Sequence, residues 1–155
     1  MLPLLDGRAD TIRDSALYGW FGGIAHVTDG RHTYMRGAKT PDNGPLYTYT
    51  NRWSTAPWWR IPLPDSRMEI GDCIPHANGM PVGRMPVLPE DMRRMSCPPE
   101  AVVQGNYLFD IAEDPGEEHN LAGTGLEPQY EKLLADALRE IGAPEEQFER
   151  LGLPS

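Results

Sequence analysis

Apolar and polar positions alternate in short runs early in the chain and recur at helical spacing only near its end. Ala16-Leu-Tyr-Gly-Trp-Phe21 is aromatic-rich and stops at Gly22-Gly23, which predicts a strand and a turn. Ile24 to Thr28 and Arg31 to Met35 flank Asp29-Gly30. Asp-Gly between two such runs signals a two-residue hairpin turn, because both turn positions need φ > 0. That turn would pair Thr28 with Arg31 and His26 with Thr33. Ile24, His26 and Thr28 would share a face with Met35, Thr33 and Arg31. Asn106 to Ile111 alternates and predicts another strand, with Tyr107, Phe109 and Ile111 on one face. In Glu113-Asp-Pro-Gly116, Pro115 presets φ and Gly116 is expected in the left-handed region.

The clearest helix runs over 127–141, where Tyr130, Leu133, Leu134, Ala137, Leu138 and Ile141 form one stripe. Thr124 and Glu127 have capping-box spacing, Pro128 sits in the first turn and Gly142 supplies the stop. Pro144 opens a shorter helix to about Leu151. Residues 37–105 break the pattern. They hold 11 of the 16 prolines, three of the four tryptophans and both cysteines. Proline removes a backbone donor, so regular structure should be sparse there. Tyr47, Tyr49, Trp53, Trp58 and Trp59 argue for an ordered, irregular loop, since such rings pack onto something. Leu88 to Met95 predicts one or two helical turns with Pro89 at the start.

Composition sharpens this picture. A chain of 155 residues is one domain's worth. No apolar run approaches the ~20 residues of a membrane span, and Met1-Leu-Pro-Leu-Leu5 meets Asp6 without forming a signal peptide. Localisation is therefore unknown from this chain. Net charge is −9. Residues 1–109 carry 11 acidic and 11 basic side chains, while 110–150 carry 12 acidic and three basic. An acidic terminal region repels phosphate backbones and argues against nucleic-acid binding. Its simplest meaning is a solvated helical face.

Candidate chemistry is thin. Cys73 and His76 form Cys-x-x-His beside Asp72, but zinc wants paired local spacings and Cys97 is far off. The two cysteines could form one bridge or stay free. No Gly-x-Ser-x-Gly elbow occurs, and Gly19-x-x-Gly22-Gly23 lacks the helix that a phosphate-binding loop needs. No catalytic, cofactor-binding or metal-ligating residue emerges. Trp53, Trp58 and Trp59 are candidate surface or substrate-loop contacts.

Two segments together resemble a known family. Leu108-Phe-Asp-Ile111, then Asp114-Pro-Gly-Glu117 and Asn120-Leu121, is similar to the sulfatase tail motif Leu-Tyr/Phe-Asp-Leu-x-x-Asp-Pro-x-Glu-x-x-Asn-Leu. Upstream, Leu2-Pro-Leu-Leu-Asp-Gly7, Arg13-Asp14, Tyr18, Val27 to Arg31 and Thr33 to Arg36 resemble the segment that enters the same small sheet. The resemblance covers 1–37 and 105–142. It implies the C-terminal subdomain of an arylsulfatase-like enzyme of the alkaline phosphatase superfamily. The complete enzyme would hydrolyse sulfate esters with a formylglycine, made within Cys-x-Pro-x-Arg, beside calcium. Cys73-Ile-Pro-His-Ala77 and Cys97-Pro-Pro-Glu-Ala101 have Ala where that Arg is required, so this chain alone is expected to be inactive and to hold neither cofactor.

The expected fold is α+β over 1–155: a small antiparallel sheet of about four strands, one long C-terminal helix packed on it, and the irregular insertion 37–105. The C-terminal helices fall within 127–151. The implied partner is a sulfatase catalytic domain. Leu2, Leu4, Leu5, Trp20, Phe21 and the tryptophan loop are the expected contact surface, through which the isolated chain would self-associate. The alternative is a stand-alone carbohydrate- or protein-binding module that uses the tryptophan loop.

Overall fold

The computed structural model describes residues 5–8, 13–51, 67–72, 74–92 and 102–155. Two antiparallel sheets and a C-terminal helical layer give the α+β class. The first sheet runs in the order β1 (Ala16–Gly19), β2 (Ala25–Thr28), β3 (His32–Arg36), β7 (Asn106–Asp110). Its strands are short and rich in β-branched and aromatic residues, which fit a half-buried pleated surface. Leu17, Val27, Tyr34 and Leu108 lie across from one another on the core face. Val27, Tyr34 and Leu108 are fully buried.

The long helix α2 (Glu127–Glu140) packs on that face. Tyr130, Leu134, Ala135, Ala137 and Leu138 are buried against the sheet. Each large side chain so covered contributes roughly 1.5–3 kcal/mol relative to an exposed one. Ile141 departs from the predicted stripe. It lies just past the helix and is 58% exposed. Gly142 turns the chain there with φ 67. Pro144 then precedes α3 (Glu145–Leu151), and Phe148, Leu151 and Leu153 close the same core.

The hairpin exists, but its register differs from the two-residue expectation. Thr28 pairs with Thr33 and His26 with Met35. The connection is therefore Asp29-Gly-Arg-His32. Side-chain bonds favour the longer loop. Asp29 Oδ1 accepts the Arg31 and His32 amides at 2.9 and 2.7 Å, and Thr28 Oγ1 accepts the Gly30 amide and donates to the His32 carbonyl. Only Gly30 takes positive φ in this loop. A shift of two residues keeps every side chain on its predicted face.

The tail turn also differs. Gly116 is not in the left-handed region; Glu117 is, with φ 54. The Asp114 carboxylate accepts the Glu118 and His119 amides, which moves the tight point one residue on.

Residues 37–105 hold more regular structure than their prolines suggest. Within this stretch β4 (Tyr47–Thr50), β5 (Glu69–Gly71) and β6 (Val82–Pro86) form a second sheet in the order β4-β6-β5. A short helix, α1 (Pro89–Met92), follows it with the predicted proline at its start. Leu46, Met85, Val87 and Met92 make a second small core. The prolines are tolerated because Pro86 ends β6 and Pro81 precedes it. Tyr49 on β4 hydrogen-bonds Glu146 on α3, so the second sheet is tied to the C-terminal layer.

Candidate functional site

The tail motif joins the last strand to the long helix, and each of its polar positions can be followed to a partner. Asn120 sits beside β7. Its Oδ1 accepts the Leu108 amide at 2.9 Å and the Ala122 amide at 2.9 Å, and its Nδ2 donates to the Asn106 carbonyl at 3.1 Å. The Leu121 amide donates to the Leu108 carbonyl at 2.7 Å. One side chain and one amide thus close the outer edge of β7. An open edge would otherwise expose a row of unpaired backbone groups.

Asp110 ends β7 and faces the hairpin. Its Oδ2 accepts Arg31 Nη2 at 2.6 Å and Nε at 3.0 Å, while Oδ1 caps the Ala112 and Glu113 amides. The Arg31 guanidinium holds the Asp110 carboxyl below the usual range. Asp114 is held low as well, by the His119 and Glu118 amides.

A denser cluster lies where the hairpin loop meets α2. Tyr130 Oη donates to Asp29 Oδ2 at 2.8 Å and lies 2.7 Å from His32 Nδ1. His32 Nε2 stands 3.6 Å from Asp110 Oδ2. Burial pushes the Tyr130 phenol up, and the Asp29 carboxylate adds to that rise. Burial also works to raise Asp29, but the His32 and Arg31 amides and the Tyr130 hydroxyl outweigh it and hold the carboxyl low. Tyr130 is therefore a committed proton donor near neutral pH. Asp29, Tyr130, His32, Asp110 and Arg31 join the loop, the end of β7 and the helix. No serine or cysteine side chain belongs to this network among the described residues.

Glu127 forms the third cluster. Its Oε1 accepts Tyr34 Oη at 3.0 Å and Asn106 Nδ2 at 2.6 Å, and its Oε2 accepts the Gly123 amide at 2.6 Å. The expected capping box is thus altered. Leu126 is the N-cap residue, and Glu127 reaches back to Gly123, not to the Thr124 amide. Burial raises the Glu127 carboxyl less than these donors lower it. Tyr34, fully buried, is pushed up to about 12 by burial. Arg36 completes the group. It donates to Tyr34 Oη and to the Leu151 and Gly152 carbonyls, and it pairs with Glu131 at 3.3 Å.

These clusters brace the fold, and each acid in them is already engaged by donors. Sequence reasoning placed the motif residues but missed the partnership of Tyr130 with His32 and Asp29. No spacing rule links residues about a hundred positions apart. The candidate contacts Trp53, Trp58 and Trp59 lie outside the described residues, as do Cys73, Cys97, Leu2 and Leu4. Of the expected partner surface, Leu5 and Trp20 are exposed, at 79% and 58%, and Tyr18, outside that expectation, is 47% exposed. Phe21 is instead half-buried and packs on the second core.

Clefts are shallow. One of about 420 Å³ is lined by Arg36, Lys39, Gln104 and Asn106, and another of about 710 Å³ lies between the entry to β1 and the end of α2. Among the described residues, no three His, Cys, Asp or Glu side chains are grouped to hold a metal ion, and no helix is long and apolar enough to cross a membrane. No protein-family model matches the chain, and no curated protein matches it significantly.

Proposed function

We propose that this chain is the C-terminal, non-catalytic portion of a sulfatase-like hydrolase whose complete form hydrolyses sulfate esters. The observation that carries the reading is the use made of the tail motif. Asp110, Asp114 and Asn120 are spent on backbone amides and on Arg31, where they join the last strand to the long helix. Their roles are architectural, as expected of a subdomain motif that stands apart from a catalytic centre. Among the described residues no group of acids is placed to take calcium. The chain lacks Cys-x-Pro-x-Arg, and the acids of its clusters are taken up by donors. In this reading calcium and formylglycine belong to a separate catalytic domain, which is the partner. Exposed Leu5, Tyr18 and Trp20 support a contact surface for it. Without that domain, the same surface favours self-association.

Reconstitution tests the proposal. The purified chain is mixed with a Cys-x-Pro-x-Arg domain encoded in the same genome and matured in a formylglycine-forming host. Binding at micromolar concentration, with gain of aryl sulfate turnover, is the expected result. A genome without such a domain, or a domain that neither binds nor gains activity, contradicts it.

A further inference from the structure

The sequence contains two Asn-Gly pairs, Asn43-Gly44 and Asn78-Gly79. Asn-Gly is the pair most prone to spontaneous deamidation, because glycine leaves the following amide nitrogen unhindered. The reaction needs that nitrogen free and the asparagine side chain able to move. The structure gives the two pairs opposite surroundings.

Asn43 is fully buried. Its Nδ2 donates to the Gly22 carbonyl at 2.7 Å, and its Oδ1 accepts Arg150 Nη1 at 2.9 Å. The Gly44 amide is held by Asp42 Oδ1 at 3.2 Å. Asn78 is exposed and closes the 3₁₀ turn Pro75–Ala77. Among the described residues its side chain makes no hydrogen bond, and the Gly79 amide donates to nothing. The space around Gly79 Cα is open: apart from the glycine and its two chain neighbours, no atom lies within 4 Å of where a Cβ would stand. Asn78 rests at φ 52, ψ 43, so its Cα–C bond must rotate before the Gly79 nitrogen reaches the side-chain carbon. The bonds that resist this are the turn's own, Asn78 N to Pro75 O at 3.4 Å and Met80 N to Ala77 O at 3.0 Å.

We propose that Asn78 is a site of spontaneous deamidation and isoaspartate formation, and that Asn43 is protected by its burial. The Gly79 nitrogen attacks Asn78 Cγ and forms a C–N bond. The Cγ–Nδ2 bond breaks, and ammonia leaves carrying the proton lost by the Gly79 nitrogen. Water then opens the succinimide at either carbonyl, giving aspartate or isoaspartate. The amide becomes a carboxylate. In the isoaspartate product the chain between β5 and β6 also gains one backbone atom.

The test is peptide mapping of the full chain after incubation in mildly alkaline buffer, folded and in denaturant. Trypsin places Asn78 in peptide 68–84 and Asn43 in peptide 40–52. In the folded chain Asn78 should convert at least about tenfold faster than Asn43, the ratio that an opening cost of ~1.4 kcal/mol gives. In denaturant the two rates should converge. Isoaspartate should appear at position 78, as acceptance of a methyl group from an isoaspartyl methyltransferase, and Gly79→Ala should slow its formation. Equal rates in the folded chain, or an Asn78 that converts only after unfolding, would overturn the proposal.

Discussion

Replacing Asn120 with alanine should destabilise the fold by about 2 kcal/mol. The side chain makes three bonds to backbone, at Leu108, Ala122 and Asn106. The Ala122 and Asn106 groups lie near the surface, where water can replace the amide, so each bond is worth roughly 0.5 kcal/mol. The Leu108 amide differs, because Leu108 is fully buried on β7. A buried donor left without a partner costs about 1–3 kcal/mol. For a chain of 155 residues, a total near 2 kcal/mol lowers Tm by roughly 4–8 °C. Asn120→Asp retains the acceptor for Leu108 but loses the donor to Asn106, so it should cost less than half as much. Urea denaturation measures both variants, and hydrogen exchange at the Leu108 amide localises the effect. A loss below about 0.5 kcal/mol, with Leu108 still protected in Asn120→Ala, would refute the claim that this residue closes the sheet edge.

Further outcomes follow from the same packing. Leu134→Ala, at a fully buried position on α2, should cost about 2–5 kcal/mol; a cost under ~0.5 kcal/mol by denaturation would mean the helix does not pack on the sheet. Glu117→Gly should stabilise by roughly 0.5–1 kcal/mol, because Glu117 carries the left-handed strain in the tail turn, whereas Gly116→Ala should be near neutral; the reverse order in thermal melts would contradict the turn. Asp29, Asp114 and Glu127 have folded pKa values held below their ordinary ones. The stability they add is therefore present above about pH 4–5 and lost as pH falls through the folded values. Glu127→Gln should flatten that acid dependence in denaturation midpoints measured from neutral pH downward, and an unchanged slope would show that Glu127 does not contribute.

Local signals in the chain foretold most of the first sheet and the C-terminal layer, and specific bonds explain the departures. The helical stripe from Tyr130 to Leu138 was legible because period and burial agree. Ile141 fitted the period but falls past the last turn, where the Gly142 reversal leaves it in water. Asp29-Gly30 announced the hairpin. Its register was set by Asp29 and Thr28 side chains bonding to the loop, which a rule based on turn backbone alone does not weigh. The second sheet was missed because proline density argued against strands. The alternation Tyr47-Thr-Tyr-Thr50 was the available clue. The clusters around Tyr130 and Glu127 were the least legible, since their members meet only after the sheet and helix have packed.

The proposed link to a sulfatase catalytic domain is tested best on the protein as its cells make it. Affinity capture of the native product, followed by intact mass and sequence analysis, asks what accompanies residues 1–155. A Cys-x-Pro-x-Arg domain, carrying formylglycine, is expected on the same polypeptide or in a stable complex, with aryl sulfate hydrolysis confined to material that contains it. Native material without such a domain, or turnover by the chain alone that one substitution in the chain abolishes, would contradict it.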